Sequence, residues 1–95
     1  MKIAFDINGT LKRVNEEETK AMVTLLKILK NVGHFIIVWS GDDISEINKF
    51  INDYELSEYV DIACNKLDSD PKDMPDVAFD DSEFAYLAKK VMIKV

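Results

Sequence analysis

Basic residues are in short supply: twelve Lys and Arg stand against eighteen Asp and Glu, for a net charge of −6. That balance weighs against nucleic acid as a partner, because a polyanion is normally met by a basic patch. The single cysteine, Cys64, excludes an internal disulfide. Its isolation fits a reducing compartment, and the expected location is the cytoplasm. No apolar run approaches the ~20 residues that a membrane span needs, and the N-terminal residues read as a strand rather than a signal peptide. No membrane partner is therefore expected. Glycine and proline are sparse as well, three and two, and no linker, repeat or low-complexity tract interrupts the chain. At 95 residues the expectation is one domain, 1–95, too short to carry a separate substrate domain or lid.

What is present is a repeated switch between short apolar runs and helical periodicity. "KIAFDI" reads as a strand. In "NEEETKAMVTLLKILKNVG", Asn15 and Glu18 form a capping box, Gly33 ends the helix, and Met22, Leu25, Leu26 and Leu29 share one face. "HFIIVW" is apolar enough to be a strand covered on both sides. A second helix is expected after Gly41, with Ile44, Ile47, Ile51 and Tyr54 on its buried stripe. "YVDIAC" and "DVAF" read as the third and fourth strands. "SEFAYLAKK" reads as a short helix capped by Ser82, and "VMIKV" as a fifth strand. Strands alternating with helices predict a small doubly wound α/β domain, with a mostly parallel five-stranded sheet and helices on both faces.

In such a sheet, ligands bind beyond the carboxyl ends of the strands. Asp6 ends the first strand, Ser40 the second, and Asp80 and Asp81 the fourth, so all fall on one edge. Three carboxylates drawn together repel one another unless a cation lies between them, and oxygen ligands without His or Cys suit a hard ion such as Mg²⁺. Asp6 could give one oxygen to the metal and attack phosphorus with the other. Neutralisation of that anion-on-anion attack calls for the metal and an ammonium. Ser40 and the Gly41 N–H, at a helix start, could donate to phosphoryl oxygens.

The ordered segments "DINGT", "IIVWSG", a lysine, and "PDVAFDD" resemble the four motifs of the haloacid dehalogenase superfamily of phosphatases and phosphotransferases. The resemblance runs along the whole chain. It implies that Asp6 is nucleophile and metal ligand, and that residue 8 binds the metal through its backbone carbonyl. Ser40 and Gly41 would hold the phosphoryl group, Lys72 would neutralise it, Asp80 would bind Mg²⁺ and Asp81 would assist. Lys66 lies in the same loop region, but the short spacing of Lys72 before "PDVAFDD" resembles compact members of the superfamily. Receiver domains of response regulators use similar residues, but in the opposite order, with paired acids early and lysine late.

One residue departs from the pattern. Asn8 stands where the resemblance would put an acid that protonates the leaving group, a role worth ~10²–10⁴ in rate. Three readings stay open: a substituted position, a substrate with a good leaving group, or a phosphate- and metal-binding module without turnover. The expected partner is a phosphorylated substrate. The short gaps after "DINGT" and after Ser40 imply a capless member whose open site either a bulky substrate or a second copy of the chain could cover. Other notable residues have ordinary readings: Asp42 and Asp43 as caps of the second helix, His34 as structural, Cys64 and Trp39 as core, and Glu16 to Glu18 as a helix N-terminus.

Overall fold

The computed structural model describes residues 1–68, 74–82 and 91–95. In chain order its elements are β1 (Lys2–Asp6), α1 (Glu16–Asn31), β2 (Phe35–Ser40), α2 (Ile44–Asp53), β3 (Ile62–Asn65), β4 (Val77–Asp80) and β5 (Val91–Lys94). A single 3₁₀ turn, Lys66–Asp68, follows β3. The helix expected over 82–90 lies outside the described residues.

All five strands are parallel, in the order β3-β2-β1-β4-β5. The chain runs outward from β1 to β3, then returns to the far side of β1 for β4. The reversal opens a crevice between the carboxyl ends of β1 and β4, where such folds bind ligands. This is the α/β, Rossmann-like arrangement that the alternating pattern predicts. Among the described residues no cap domain is inserted after β1 or β2.

Strand alternation sorts the core. Ile3, Phe5, Ile36 and Val38 face one side, where they meet Val23 and Leu26 of α1 and Ile47, Phe50 and Ile51 of α2. Ala4, Ile37, Trp39 and Ala78 face the other. Both described helices share a face because β1→β2 and β2→β3 step in the same direction, and right-handed crossovers then fall on the same side. The Phe5 and Phe79 rings stack with centroids 4.7 Å apart, joining β1 to β4 beneath the crevice.

Local signals explain the element ends. The Asn15 side chain accepts from the Glu18 N–H at 2.8 Å, the first half of the expected capping box. The Glu18 carboxylate turns instead toward Arg13, at 3.6 Å. Gly33 has φ 109°, and the N–H groups of Gly33 and His34 return to the carbonyls of Lys30 and Leu29, a Schellman ending. The α1 stripe is centred on Thr19, Val23 and Leu26, flanked by the expected Met22, Leu25 and Leu29. On α2, Ile44 is 47% exposed and Phe50 takes its place in the core. Tyr54 caps that helix and sends its hydroxyl to Glu16. β3 starts three residues later than "YVDIAC" suggests, because Tyr59 and Val60 lie in the approach to the strand.

The two strands paired with β2 and β1 begin with the same device. Asp61, just before β3, gives its N–H to the Ile36 carbonyl and accepts the Ile36 N–H on its carboxylate at 2.8 Å. Asp76, just before β4, does the same with Lys2, at 2.8 and 3.0 Å. In each case a side chain extends the ladder by one rung.

Candidate active site

β1 and β4 end side by side, so their last residues must meet at the crevice. Asp6 is 5% exposed and Asp80 1%, while Asp81 is open to solvent. Carboxylate oxygens of the three lie within 4.8 Å of one another. The Lys66 ammonium stands between the two buried acids, 2.7 Å from Asp80 Oδ2 and 3.1 Å from Asp6 Oδ1. Lys66 arrives there because β3 ends at Asn65, which puts the next residue on the same rim.

The acids differ in how readily they ionise. Burial pushes Asp6 up to about 6, and the neighbouring Asp80 and Asp81 add to that, while Lys66 pulls the other way. Asp80 is also penalised by burial. Its hydrogen bonds from Lys66 and from the Ser82 N–H at 2.9 Å outweigh the penalty and hold it below the ordinary carboxylate range. Burial works against the charge on Lys66 too, but its two carboxylate partners raise it. Among the described residues, one ammonium against three carboxylates leaves an excess of two negative charges when all are ionised. A compact, oxygen-only set with that excess fits a hard divalent cation.

The turn after β1 closes tightly over this cluster. The N–H groups of Thr10 and Lys12 return to the Ile7 carbonyl, and the Gly9 N–H bonds the Lys12 carbonyl. Gly9 has φ 84°, and a Cβ there would occupy the place of the Asp81 carboxylate. The positive φ is what calls for glycine, and any added Cβ would also push aside the exposed Asp81 carboxylate. Arg13 braces the loop from behind, its guanidinium donating to the Gly9 carbonyl and its N–H to Thr19 Oγ1. Thr10 is fully buried, with no hydrogen-bond partner for its hydroxyl oxygen among the described residues.

Asn8, exposed on this turn, donates from Nδ2 to Asp42 Oδ2 at 2.6 Å. The same oxygen lies 3.3 Å from Ser40 Oγ, a buried hydroxyl at the end of β2. The Asp42 N–H donates back to Ser40 Oγ at 3.2 Å, and Asn65 Nδ2 holds the Asp42 carbonyl at 2.9 Å. Of the two acids expected to cap α2, Asp43 stands at the N-cap position without a side-chain capping bond. Asp42 instead faces the site. Gly41, between Ser40 and Asp42, is exposed, with open space beside its α-carbon among the described residues.

The crevice therefore joins Asp6, Asp80, Asp81 and Lys66, with Asn8, Ser40 and Asp42 along its β2 side. Lys72 lies outside the described residues, and the lysine between the carboxylates is Lys66. The signal that points to Lys66 is its position directly after a strand, which the spacing that favours Lys72 overrode. Asp42 carried no such signal, since an acid after Ser-Gly reads equally well as a cap.

Comparison with family models matches residues 3–65 to the haloacid dehalogenase-like hydrolases, more than half of the chain. The protein belongs to that family. The matched span includes Asp6, Asn8, Ser40 and Gly41 and ends one residue before Lys66; Asp80 and Asp81 join the site through the fold. No curated protein and no solved structure matches the chain.

Proposed function

We propose that this chain is a Mg²⁺-dependent phosphohydrolase in which Asp6 forms an aspartyl-phosphate, with turnover narrowed by Asn8. The observation that carries the reading is the Lys66 ammonium shared by two buried carboxylates, with a third carboxylate oxygen within 4.8 Å. Asp6, Asp80 and Asp81, with the carbonyl of residue 8, would hold the ion. The ion supplies the positive charge that lets an anionic nucleophile approach an anionic phosphoryl group.

An Asp6 oxygen bonds to phosphorus as the bond to the leaving oxygen breaks, and Lys66 balances charge on the phosphoryl oxygens. Ser40 Oγ–H and the Gly41 N–H donate to those oxygens and fix their orientation. Water then attacks the acyl phosphate, releasing phosphate and restoring Asp6. Departure of an alkoxide demands a proton, and the Asn8 amide has none to give at useful pH. A leaving group that departs as a stable anion, such as a carboxylate or a phosphate, has no such need.

The test is hydrolysis of acetyl phosphate and of a simple alkyl phosphate, with and without Mg²⁺, by the wild-type chain and by Asp6→Asn. We expect Mg²⁺-dependent release of phosphate from acetyl phosphate, alkyl phosphate slower by about 10²–10⁴, and no turnover by Asp6→Asn. A second reading, a phosphate- and metal-binding module without turnover, draws on the engagement of the Asn8 amide with Asp42. It prevails if Mg²⁺ and phosphate raise the melting temperature while neither ester is hydrolysed. Mg²⁺ having no effect on activity or on melting would remove both.

A further inference from the structure

Asp42 presents one carboxylate oxygen to two groups, the Ser40 hydroxyl that the phosphoryl reading needs elsewhere and the Asn8 amide beside it. Its Oδ2 accepts the Asn8 amide at 2.6 Å and lies 3.3 Å from the Ser40 hydroxyl. A carboxylate oxygen and a phosphoryl oxygen ask for the same partners, N–H and O–H donors converging on a negative charge. We propose that Asp42 is a specificity-determining internal anion, pinned by the Asn8 amide on the Ser40 hydroxyl that a phosphoryl group would use and displaced only when such a group binds. The proposal rests on the phosphohydrolase reading above and concerns the same site.

The pairing also explains why an amide is tolerated at position 8. Asn8 contributes the donor and Asp42 the acceptor of a 2.6 Å bond. An acid at position 8 would set two carboxylates against each other at that separation. Asn8 and Asp42 are thus complementary, and one locks the other over Ser40. The lock is anchored from behind. Asn65, at the end of β3, holds the Asp42 carbonyl through Nδ2 and accepts the Leu67 N–H on Oδ1. Swinging the Asp42 side chain away breaks neither of these bonds, so the carboxylate can leave while its backbone stays in place. The chain then discriminates by charge: a weakly held anion does not evict Asp42, whereas a phosphoryl dianion balanced by Lys66 does.

The experiment is titration of the full chain with inorganic phosphate in saturating Mg²⁺, followed by calorimetry and by the phosphate-induced rise in melting temperature. The variants are Asp42→Asn, Asp42→Ala and, as a control for net charge, Asp43→Asn. Asp43 neighbours Asp42 and forms no side-chain capping bond. We expect both Asp42 variants to bind phosphate about tenfold more tightly than wild type, and Asp43→Asn to change affinity by less than about twofold. With acetyl phosphate the gain should fall in KM rather than in kcat. An effect of Asp42→Asn no greater than that of Asp43→Asn overturns the proposal while leaving the site reading intact, provided phosphate still binds wild type. Absence of phosphate binding in all four chains overturns the site reading, and this inference with it.

Discussion

At neutral pH Asp6 carries a negative charge where little water reaches it. Burial, reinforced by Asp80 and Asp81, raises its pKa from 3.8 to about 6 despite Lys66. Between those values the folded chain binds a proton more tightly than the unfolded chain does. The contribution of this group to stability therefore falls as pH rises across that window, and above it the full penalty applies. Asp6→Asn keeps the shape and removes the charge, and Lys66 retains Asp80 as its partner. In the absence of divalent ions the variant should be more stable than wild type at pH 7, on the order of 2 kcal/mol. Denaturant unfolding should show that gain vanish near pH 4. A variant less stable than wild type at pH 7 would mean that Asp6 is a structural half of an ion pair. The expected opposition, stability gained as the proposed nucleophile is lost, is the usual mark of a residue held in place for chemistry.

Where a segment's role depends on its own residues, the element was legible in the sequence. β1 and β2 announce themselves by apolar runs ended by Asp6 and Ser40, and α1 by Asn15 and Gly33, which cap its two ends although Glu18 does not complete the box. Where the role depends on a neighbour, it was not. Asp61 sits in a run that reads as strand, yet its carboxylate bonds the Ile36 N–H and the Lys30 ammonium, both at 2.8 Å, and β3 starts only after it. Lys66 is hidden for a related reason: the spacing before "PDVAFDD" favours Lys72, and the ion pairs that Lys66 makes with Asp6 and Asp80 depend on strands distant in the chain. Burial works against the Asp61 charge, but the bonds from Lys30 and from Ile36 outweigh it, so its pKa is lowered. The contribution of Asp61 is then fully present above the unfolded value of 3.8 and fades as pH falls through the lower folded value. Asp61→Asn should destabilise the chain at pH 7 by about 1 kcal/mol, a modest figure because the ion pair is partly solvated. The gap between variant and wild type should narrow below pH 4. A gap independent of pH would assign the loss to the backbone contact alone.

Across the whole molecule the excess of acid acts at two ranges. A net charge of −6 is spread over a body of 30 × 27 × 24 Å. In about 10 mM salt the screening length, ~30 Å, spans that body, and at 0.15 M it shrinks to ~8 Å. Sodium chloride should therefore raise the melting temperature by relieving general repulsion, and the rise should level off once only neighbouring charges interact. The crevice is a different case, because Asp6, Asp80 and Asp81 converge within 4.8 Å, with Lys66 the one lysine among them in the described residues. A divalent ion held there adds binding energy that ionic strength does not supply, and a site filled at about ten times Kd gains ~1.4 kcal/mol, or roughly 5–10 °C for a domain of this size. Melting in a few millimolar MgCl₂ should exceed melting in NaCl of equal ionic strength by that margin. Asp6→Asn should lose the excess while keeping its response to NaCl. Equal shifts from the two salts at matched ionic strength would mean that the acids are held apart by Lys66 and general screening alone, with no ion between them.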